Sequence, residues 1–487
     1  MDARTDSPVF AGVAQQQAGS APDAFEVVLI NPYELGRQPF ALAEPAAWLK
    51  REGCAVHCVD LSLQQLDAQL LARARLVALY LGMHTATRIA VEALPRIRAL
   101  APQAQLCAYG LYAPMNQALL RDLGVETILG GECEPELAGL ARRLRAGAAG
   151  EAQSGAAVNL AKIEFLTPDR SGLPALGRYA HLVEPGGAKK MLGFAEASRG
   201  CKHLCRHCPV VPVYQGKFRV VPLPVVLADI AQQVAAGAAH ISFGDPDFFN
   251  GSTHAMKVVA AMHATFPQLT FDATIKVQHI IAHAKLLPDL KAAGCVFLTS
   301  AVESVDERVL LHLAKNHTRA DFERALQLCR DAGIGMAPTF VPFTPWTSLE
   351  GYLELLRTLL RLRLVEAVPP IQLCIRLLVP EGSWLLRLPG FSDMIGPFDA
   401  KLLGYPWRHA DARVDALQQA LQALAAQGDE RKAVRGAVFA EIWQAAHAAL
   451  GRAAPPLGAE DFGVPLAHLS EPWYCCAEPT EQQLQSF

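Results

Sequence analysis

The sequence lacks long hydrophobic runs and any strong excess of charge. Its apolar stretches are interrupted by Arg, Gln or Pro before they reach the roughly 20 residues that a membrane-spanning helix needs. The formal net charge of −3 and the pI of about 6.6 create no field that would attract nucleic acid or an anionic membrane surface. We therefore expect a protein that binds neither nucleic acid nor membranes.

The first residues also lack the apolar core of a secretory signal. Residues 1–24 contain acids and are rich in Ala, Gly, Ser and Gln, which predicts a disordered N-terminus. Without an export signal, a chain of this size with 12 cysteines is not expected to be a disulfide-stapled scaffold. We expect a cytoplasmic protein whose isolated cysteines, such as Cys295 and Cys374 in strand-like runs, are small core residues.

From residue 25 to residue 145, five short apolar runs alternate with amphipathic segments. This alternation predicts a doubly wound parallel sheet of flavodoxin or Rossmann type. Polar and Gly-rich segments follow the predicted strands at 31–36, 82–88, 109–114 and 130–136, which is the edge where such sheets bind ligands. The same segments would also serve as helix caps and tight turns, so none of them alone identifies a ligand.

The rest of the chain predicts a second α/β domain and a helical region. Residues 146–190 begin with a Gly-, Ala- and Ser-rich stretch and form a connector. Six further strand–helix units within residues 191–382 indicate an open sheet or a partial barrel. Residues 383–452 are mostly helical in pattern, and residues 453–487 form a C-terminal tail.

Three cysteines stand together in the segment CKHLCRHC. Cys201, Cys205 and Cys208 have the spacing C-x3-C-x2-C, with His203 and His207 between them. Thiolates so close together indicate a metal site. One interpretation is a structural zinc ion with one of the histidines as its fourth ligand. The other is an iron–sulfur cluster bound by three cysteines, with one iron left free for a small chelating ligand.

The position of the triplet favours the iron–sulfur interpretation, because it follows the first strand of the second predicted domain, where α/β barrels carry their chemistry. Here the triplet resembles the cluster loop of the radical S-adenosylmethionine (SAM) superfamily. The resemblance implies a partial (β/α)6 barrel, a [4Fe-4S] cluster bound by Cys201, Cys205 and Cys208, and SAM bound at the unique iron. It also implies a small-molecule substrate and an electron donor such as flavodoxin or ferredoxin. His207 departs from the aromatic residue that is common at its position, although its ring is also planar.

Further residues match positions of the same superfamily. Gly244, Asp245 and Pro246, in FGDPD at the end of the second predicted strand, stand where the family has a turn that meets the methionine amino group. Glu303 ends the fourth predicted strand, where family members place a polar residue near the ribose hydroxyls. Lys276 ends the third predicted strand, and we expect it to face a carboxylate.

The N-terminal domain resembles the cobalamin-binding domain that precedes the barrel in one subgroup of these enzymes. The segment PDRSGLPALGRYA is similar to the connector of that subgroup. The subgroup's D-x-H-x-x-G loop, whose histidine ligates cobalt, is absent, since His84 in GMHTATR has neither the Asp nor the Gly. Cobalamin is therefore expected either to bind without this ligand or not to bind, the domain being a degenerate relic.

The tail contains the segment EPWYCCAEP, in which Cys475 and Cys476 are adjacent. Adjacent thiols rarely form a mutual disulfide without strain, but together they can bind one soft atom or act as nucleophile and resolving thiol. The segment closely resembles the tail of the CUAEP/CCAEP-tail radical SAM proteins, some of which have selenocysteine in place of Cys476. We expect the tail to cover the barrel mouth and to present both thiols to the substrate. The alternative is a pair of buried thiols that anchors the tail.

Three hypotheses of function follow. The first is a radical SAM enzyme that transfers a radical or an alkyl group to a small substrate, with sulfur, selenium or arsenic favoured by the adjacent thiols. The second is a zinc-stabilised binding protein. The third is a thiol redox protein centred on Cys475 and Cys476, with a structural cluster and no SAM turnover. Iron with acid-labile sulfide would exclude the second, and consumption of SAM would exclude the third.

Overall fold

The computed structural model describes residues 25–147 and 155–471. The predicted disordered N-terminus and the tail cysteines Cys475 and Cys476 lie outside the described residues. None of the helices in the described ranges has the length and apolar character that a membrane crossing requires.

The N-terminal domain is a parallel sheet with helices on both faces. Its strands are β1 (Glu26–Asn31), β2 (Ala55–Asp60), β3 (Leu76–Tyr80), β4 (Gln105–Tyr109), β5 (Thr127–Gly131) and β6 (Ala157–Asn159). Its helices are α1 (Phe40–Arg51), α2 (Ala68–Arg73), α3 (His84–Leu100), α4 (Tyr112–Met115), α5 (Gln117–Asp122) and α6 (Glu134–Arg145). The strand order is β2-β1-β3-β4-β5-β6.

Burial explains why these residues form this sheet. All six residues of β1 are buried, as expected for a central strand covered on both faces. Helices α1 and α6 pack on one face, and α2, α3 and α4 pack on the other. The predicted doubly wound fold is confirmed. Strand β6, which lies within the predicted connector, adds an edge strand next to β5.

The second domain is built on an open half-barrel. Its strands are β7 (His181–Val183), β8 (Lys189–Ala195), β9 (Ser198–Gly200), β10 (Phe218–Val220), β11 (His240–Phe243), β12 (Thr270–Thr274), β13 (Cys295–Glu303) and β14 (Gly335–Phe340). Its α-helices are α7 (Val210–Tyr214), α8 (Leu223–Ala235), α9 (Ser252–Thr265), α10 (Val277–Ala282), α11 (Leu287–Ala292), α12 (Glu307–His312), α13 (Arg319–Asp331) and α14 (Leu349–Arg361). Strands β8, β11, β12, β13 and β14 are adjacent and parallel.

Two predicted strands differ from the structure. The sequence pattern predicts GFAEASRG as the first strand of the second domain, but β8 ends at Ala195 and β9 pairs antiparallel with β10 in a separate two-stranded sheet. The run PIQLCIRLLV does not form the sixth strand of the predicted (β/α)6 barrel. It begins as a 3₁₀ turn, and Arg376 forms a parallel bridge with Phe343. Pro369 and Pro370 fix φ and favour the 3₁₀ turn over Pro370–Leu373 with which the segment begins.

The C-terminal region packs against the half-barrel. Helices α15 (Ala412–Glu430) and α16 (Arg435–Ala449) pack against each other, and α16 contacts α14. The predicted helical region 383–452 is only partly helical, since residues 383–411 contain two short 3₁₀ turns, Trp384–Arg387 and Ser392–Met394, among turns and isolated bridges. Strand β15 (His468–Leu469) then pairs antiparallel with β7, so that the end of the described chain returns to the edge of the half-barrel.

A buried arginine of the connector joins the two domains. The Arg170 guanidinium donates to both carboxylate oxygens of Asp229 in α8, over 2.7 and 2.9 Å, and to the carbonyl of Phe194, over 2.7 Å. It also donates to Oε1 of Gln38 in the N-terminal domain over 2.8 Å. Arg170 and Asp229 are both almost fully buried. A buried carboxylate that lost this partner would be left uncompensated.

We therefore expect Arg170→Met to lower the free energy of unfolding by about 3–5 kcal/mol. The measurement is urea unfolding followed by tryptophan fluorescence. Arg178→Met is the matched control, because the exposed Arg178 guanidinium donates to the Leu63 carbonyl and not to a buried carboxylate among the described residues. An equal loss of stability in both variants would contradict the importance of the buried pair.

Candidate active site

The cysteine loop begins where a glycine turns the chain. Gly200, the last residue of β9, has φ +72°, and a Cβ there would overlap the ring of Tyr214. Cys201 and Cys205 are buried, whereas Cys208 is partly exposed. A backbone hydrogen bond of 3.1 Å from Cys208 N to Cys205 O closes the loop just before α7. Burial raises the pKa of the Cys201 thiol.

One cavity of about 490 Å³ contains the residues that the sequence predicted for the cluster and SAM. It lies between the half-barrel, the N-terminal domain and the end of the described chain. The predicted residues that line it are Cys201, Cys205, His207, Cys208, Gly244, Asp245, Pro246, Lys276 and Glu303. The predicted catalytic pair Cys475 and Cys476 lies outside the described residues. The structure thus brings together residues that are up to 102 positions apart in the sequence (201 to 303).

Lys276 places a positive charge beside the cysteine loop. Its side chain is buried, and its Nζ lies 3.2 Å from the Sγ of Cys205. The sequence predicted a carboxylate partner, but the hydrogen bond that this structure contains is to a thiol. An ammonium at this distance stabilises a thiolate, which is the form of cysteine that binds metals.

Glu303 is held between two cationic or polar neighbours. Its Oε1 lies 3.1 Å from His207 Nε2 and 3.3 Å from Lys315 Nζ. Burial alone would raise the pKa of Glu303, but the Lys315 ammonium and the contact with His207 lower it to about 2. Glu303 itself has φ +69° at an irregularity between β13 and β14, which turns its side chain out of the regular strand pattern.

The turn after β11 is shaped by close packing. A Cβ at Gly244 would overlap the ring of Phe194, so only glycine fits there. Asp245 accepts hydrogen bonds from Ala197 N over 2.9 Å and from Ser198 Oγ over 2.5 Å. Both of its oxygens therefore bind the segment Ala197–Ser198, which leads into the cysteine loop. Burial raises the pKa of Asp245 to about 7.

A buried arginine connects the cysteine loop to the N-terminal domain. The Arg199 guanidinium is paired with Glu44, Glu132, Glu134 and Glu196, and its Nη1 lies 2.6 Å from Glu134 Oε1. Burial lowers the pKa of Arg199 to about 10 and raises the pKa of Glu132 to about 7. The raised carboxyl pKa lets protonation reduce the excess of negative charge in this cluster.

The N-terminal domain contributes Arg37, Gly82, Met83 and Leu111 to the cavity wall. His84 belongs to the segment that lacks the Asp and the Gly of the cobalt-binding loop. It is the first residue of α3 and does not line the cavity. Its Nε2 lies 2.6 Å from the carbonyl oxygen of Leu402, and burial lowers its pKa to about 4. In this arrangement the imidazole is engaged with the C-terminal region.

Several residues of the site were missed by sequence reasoning. Lys315 and Arg199 are long-range partners of acids, and no local pattern marks them. Asp247 belongs to the segment FGDPD, and its position just after a strand could have marked it as a site residue, because acids near strand ends often contribute to a site. Its imidazole neighbours are His203, in the cysteine loop, and His279, in α10.

Comparisons with known proteins agree with this geometry. Residues 196–356 match the model of the Radical SAM superfamily. The structure of the radical S-adenosylmethionine methyltransferase TsrM from Kitasatospora setae, with a tryptophan substrate and a SAM analogue, is similar with a TM-score of 0.58 and 21% identity. That similarity covers 70% of this chain and 71% of TsrM.

The cobalamin-dependent SAM radical enzyme OxsB, with aqua-cobalamin and SAM bound, is similar with a TM-score of 0.65 and 15% identity. The similarity covers 83% of this chain and 67% of OxsB. A search of curated proteins gave no match. At these identities the two structures show a shared fold, and the family match confirms the resemblance of the cysteine loop.

The contact between Lys276 and Cys205 leads to a prediction about the iron–sulfur cluster of this family. A buried ammonium next to a ligating thiolate favours the reduced, more negative cluster. We expect Lys276→Met to make the midpoint potential more negative by tens of millivolts, measured by an EPR-monitored redox titration. Lys202→Met is the control, because it removes the same charge from the loop, whereas the Lys202 Nζ donates to the Asn250 carbonyl and not to a cysteine. Equal potentials in wild type and Lys276→Met would contradict this role.

Proposed function

We propose that this radical SAM enzyme, which shares its fold with cobalamin-dependent radical SAM methyltransferases, transfers an alkyl or radical group from SAM to a small substrate. The supporting observation is the single cavity that contains the cysteine loop, the Gly244 turn, Glu303 and the rim of the N-terminal domain. A substrate bound there would contact both domains. The third hypothesis, a thiol redox protein that does not consume SAM, is the alternative that the experiment below excludes or supports.

The residues of the cavity fit a [4Fe-4S] cluster and SAM. Cys201, Cys205 and Cys208 all line it, and Lys276 supplies a cation beside the thiols. A cluster held there supplies the electron that cleaves a carbon–sulfur bond of SAM. We infer that the glycine at 244 lets the methionine part of SAM approach the backbone, and that Glu303 accepts hydrogen bonds from the ribose. Lys315 keeps that carboxylate ionised.

We infer that a corrinoid binds on the side of the N-terminal domain. Gly82, Met83 and Leu111 give this wall a small and apolar surface at the carboxyl ends of β3 and β4, where doubly wound sheets bind their ligands. A corrinoid would serve as the carrier of a methyl group. Because His84 is engaged with Leu402, we propose that a corrinoid binds here without an imidazole ligand from this residue.

We further propose that Cys475 and Cys476 act on a substrate with a thiophilic atom. The support is the course of the described chain, whose last residues, His468, Leu469, Ser470 and Glu471, line the cavity. Glu471 is also hydrogen-bonded to the Tyr33 hydroxyl of the N-terminal domain. Cys475 follows Glu471 by only four positions in the sequence, so little chain separates it from the residues that line the cavity.

The test of the main proposal is the fate of SAM. We expect the anaerobically reconstituted and reduced protein to consume SAM, with the product identified by mass spectrometry. S-Adenosylhomocysteine would indicate methyl transfer, 5′-deoxyadenosine an adenosyl radical, and methylthioadenosine transfer of the aminocarboxypropyl group. Cys201→Ala should lose both the cluster iron and the reaction. Cys54→Ala, which alters a thiol outside the cavity, should keep both.

A protein with a complete cluster that leaves SAM intact would contradict the proposal and favour the thiol redox alternative. The role of the tail is tested separately with the double variant Cys475→Ala/Cys476→Ala. It should keep the cluster and the binding of SAM but lose transfer to the substrate. Unchanged turnover in this variant would show that the two thiols are not required.

The corrinoid proposal predicts a specific spectrum. We expect the protein to retain hydroxocobalamin after gel filtration and, upon reduction to cob(II)alamin, to show no EPR hyperfine splitting from a histidine nitrogen. His84→Ala should give the same spectrum, because its imidazole contacts Leu402 and not the cavity. Failure to retain the corrinoid would contradict the proposed corrinoid site, and nitrogen splitting that His84→Ala abolishes would contradict the proposed absence of a His84 ligand.

A further inference from the structure

Three side chains outside the cysteine triplet converge on one point. His203 belongs to the cysteine loop, Asp247 follows β11, and His279 lies in α10. Their donor atoms all lie within 4.8 Å of one another. His203 Nε2 is 3.1 Å and His279 Nδ1 is 2.6 Å from the same oxygen, Oδ2 of Asp247. The set contains two imidazoles and one carboxylate, which are common ligands of zinc and other divalent transition metals.

All three groups are largely buried. Asp247 is fully buried, and the side chains of His279 and His203 are 9% and 16% exposed. The Nδ1 of His279 is buried and lies 2.6 Å from Oδ2 of Asp247, but its N–H is not well aligned with that oxygen. Oδ2 also contacts His203 Nε2, over 3.1 Å. A metal ion between the imidazoles and the carboxylate would replace the protons that these groups otherwise share.

The second carboxylate oxygen of Asp247 orients the group. Its Oδ1 accepts a hydrogen bond of 3.2 Å from Phe249 N and lies 3.5 Å from Lys276 N. Backbone donors of this kind fix the direction of a ligating carboxylate. They leave Oδ2 to face the two histidines. The other ligands are positioned by a loop and by a helix, so the three donors come from three different segments.

We propose that His203, Asp247 and His279 bind a zinc ion, separate from the three cysteines and with water as its fourth ligand. Zinc bonds of about 2.0–2.2 Å place tetrahedral donors about 3.3–3.5 Å apart. The present distances of 3.1 and 2.6 Å are slightly shorter, so small outward movements of the side chains would admit the ion. Water can enter from the side of His203, which lines the active-site cavity.

The position of this site gives it a structural role. It joins the cysteine loop, the Gly244 turn through Asp247, and the start of α10, where Lys276 precedes the helix and contacts Cys205. An ion bound here would hold these three segments of the catalytic cavity in one arrangement. The inference does not depend on which reaction the enzyme performs, since it concerns binding of a metal by the folded protein.

The test uses the protein with its iron–sulfur cluster in place, so that the cysteines are occupied. After equilibrium dialysis against zinc, metal analysis should find one zinc per chain in addition to the cluster iron. Zinc K-edge X-ray absorption should show only nitrogen and oxygen neighbours, at about 2.0 Å. His279→Gln should lose the zinc and retain the iron and sulfide. His283→Gln is the matched control, because its ring is next to His279 but outside the three-donor set, and it should retain the zinc.

Three results would overturn the inference. The first is wild-type protein that contains the cluster iron but no zinc. The second is a sulfur neighbour at about 2.3 Å, which would place the zinc at cysteine thiolates. The third is zinc binding that His279→Gln leaves unchanged or that His283→Gln also removes. The first two are measured on the wild-type protein and do not depend on whether a variant folds.

Discussion

The arrangement of the two domains depends on the burial of one guanidinium. Arg199 lies two positions before the first cluster cysteine and is surrounded by Glu44, Glu132 and Glu134 of the N-terminal domain and by Glu196. A buried cation without acidic partners would be strongly destabilising. The N-terminal domain must therefore dock where its acids reach Arg199, and the same docking places its ligand-binding edge opposite the cysteine loop.

That docking creates the active-site cavity. The wall formed by Gly82, Met83 and Leu111 faces the cysteines only because the domains meet at this angle. Arg170 reinforces the arrangement from the connector, with partners in both domains. The end of the described chain also lines the cavity, and its strand β15 pairs with β7. The proposed reaction brings a cluster, SAM and a substrate together, and a cavity at the junction of the two domains can hold such groups close to one another.

Within the half-barrel, several polar groups of the site are paired with side chains from other segments of the chain. Lys276 meets Cys205, and Glu303 meets His207 and Lys315. These pairs compensate charges that burial would otherwise disfavour, and they restrict the side chains to one arrangement. The histidine–aspartate group beside them extends this pattern. The cysteine loop is thus supported from several directions at once, which is suited to a cluster that must keep its position and potential.

Local patterns in the sequence determined the fold class of both domains. The alternation of apolar runs predicted the doubly wound sheet, and the cysteine spacing predicted the radical SAM domain, because both signals reside in short segments. The predicted sixth barrel strand was wrong, because a short apolar run does not distinguish a strand from another buried segment, and this one begins as a 3₁₀ turn. Only the tertiary structure decided that Arg199 joins the domains, that Lys315 pairs with Glu303 and that His84 turns toward Leu402. These contacts join residues whose proximity depends on how whole elements pack, which no local periodicity encodes.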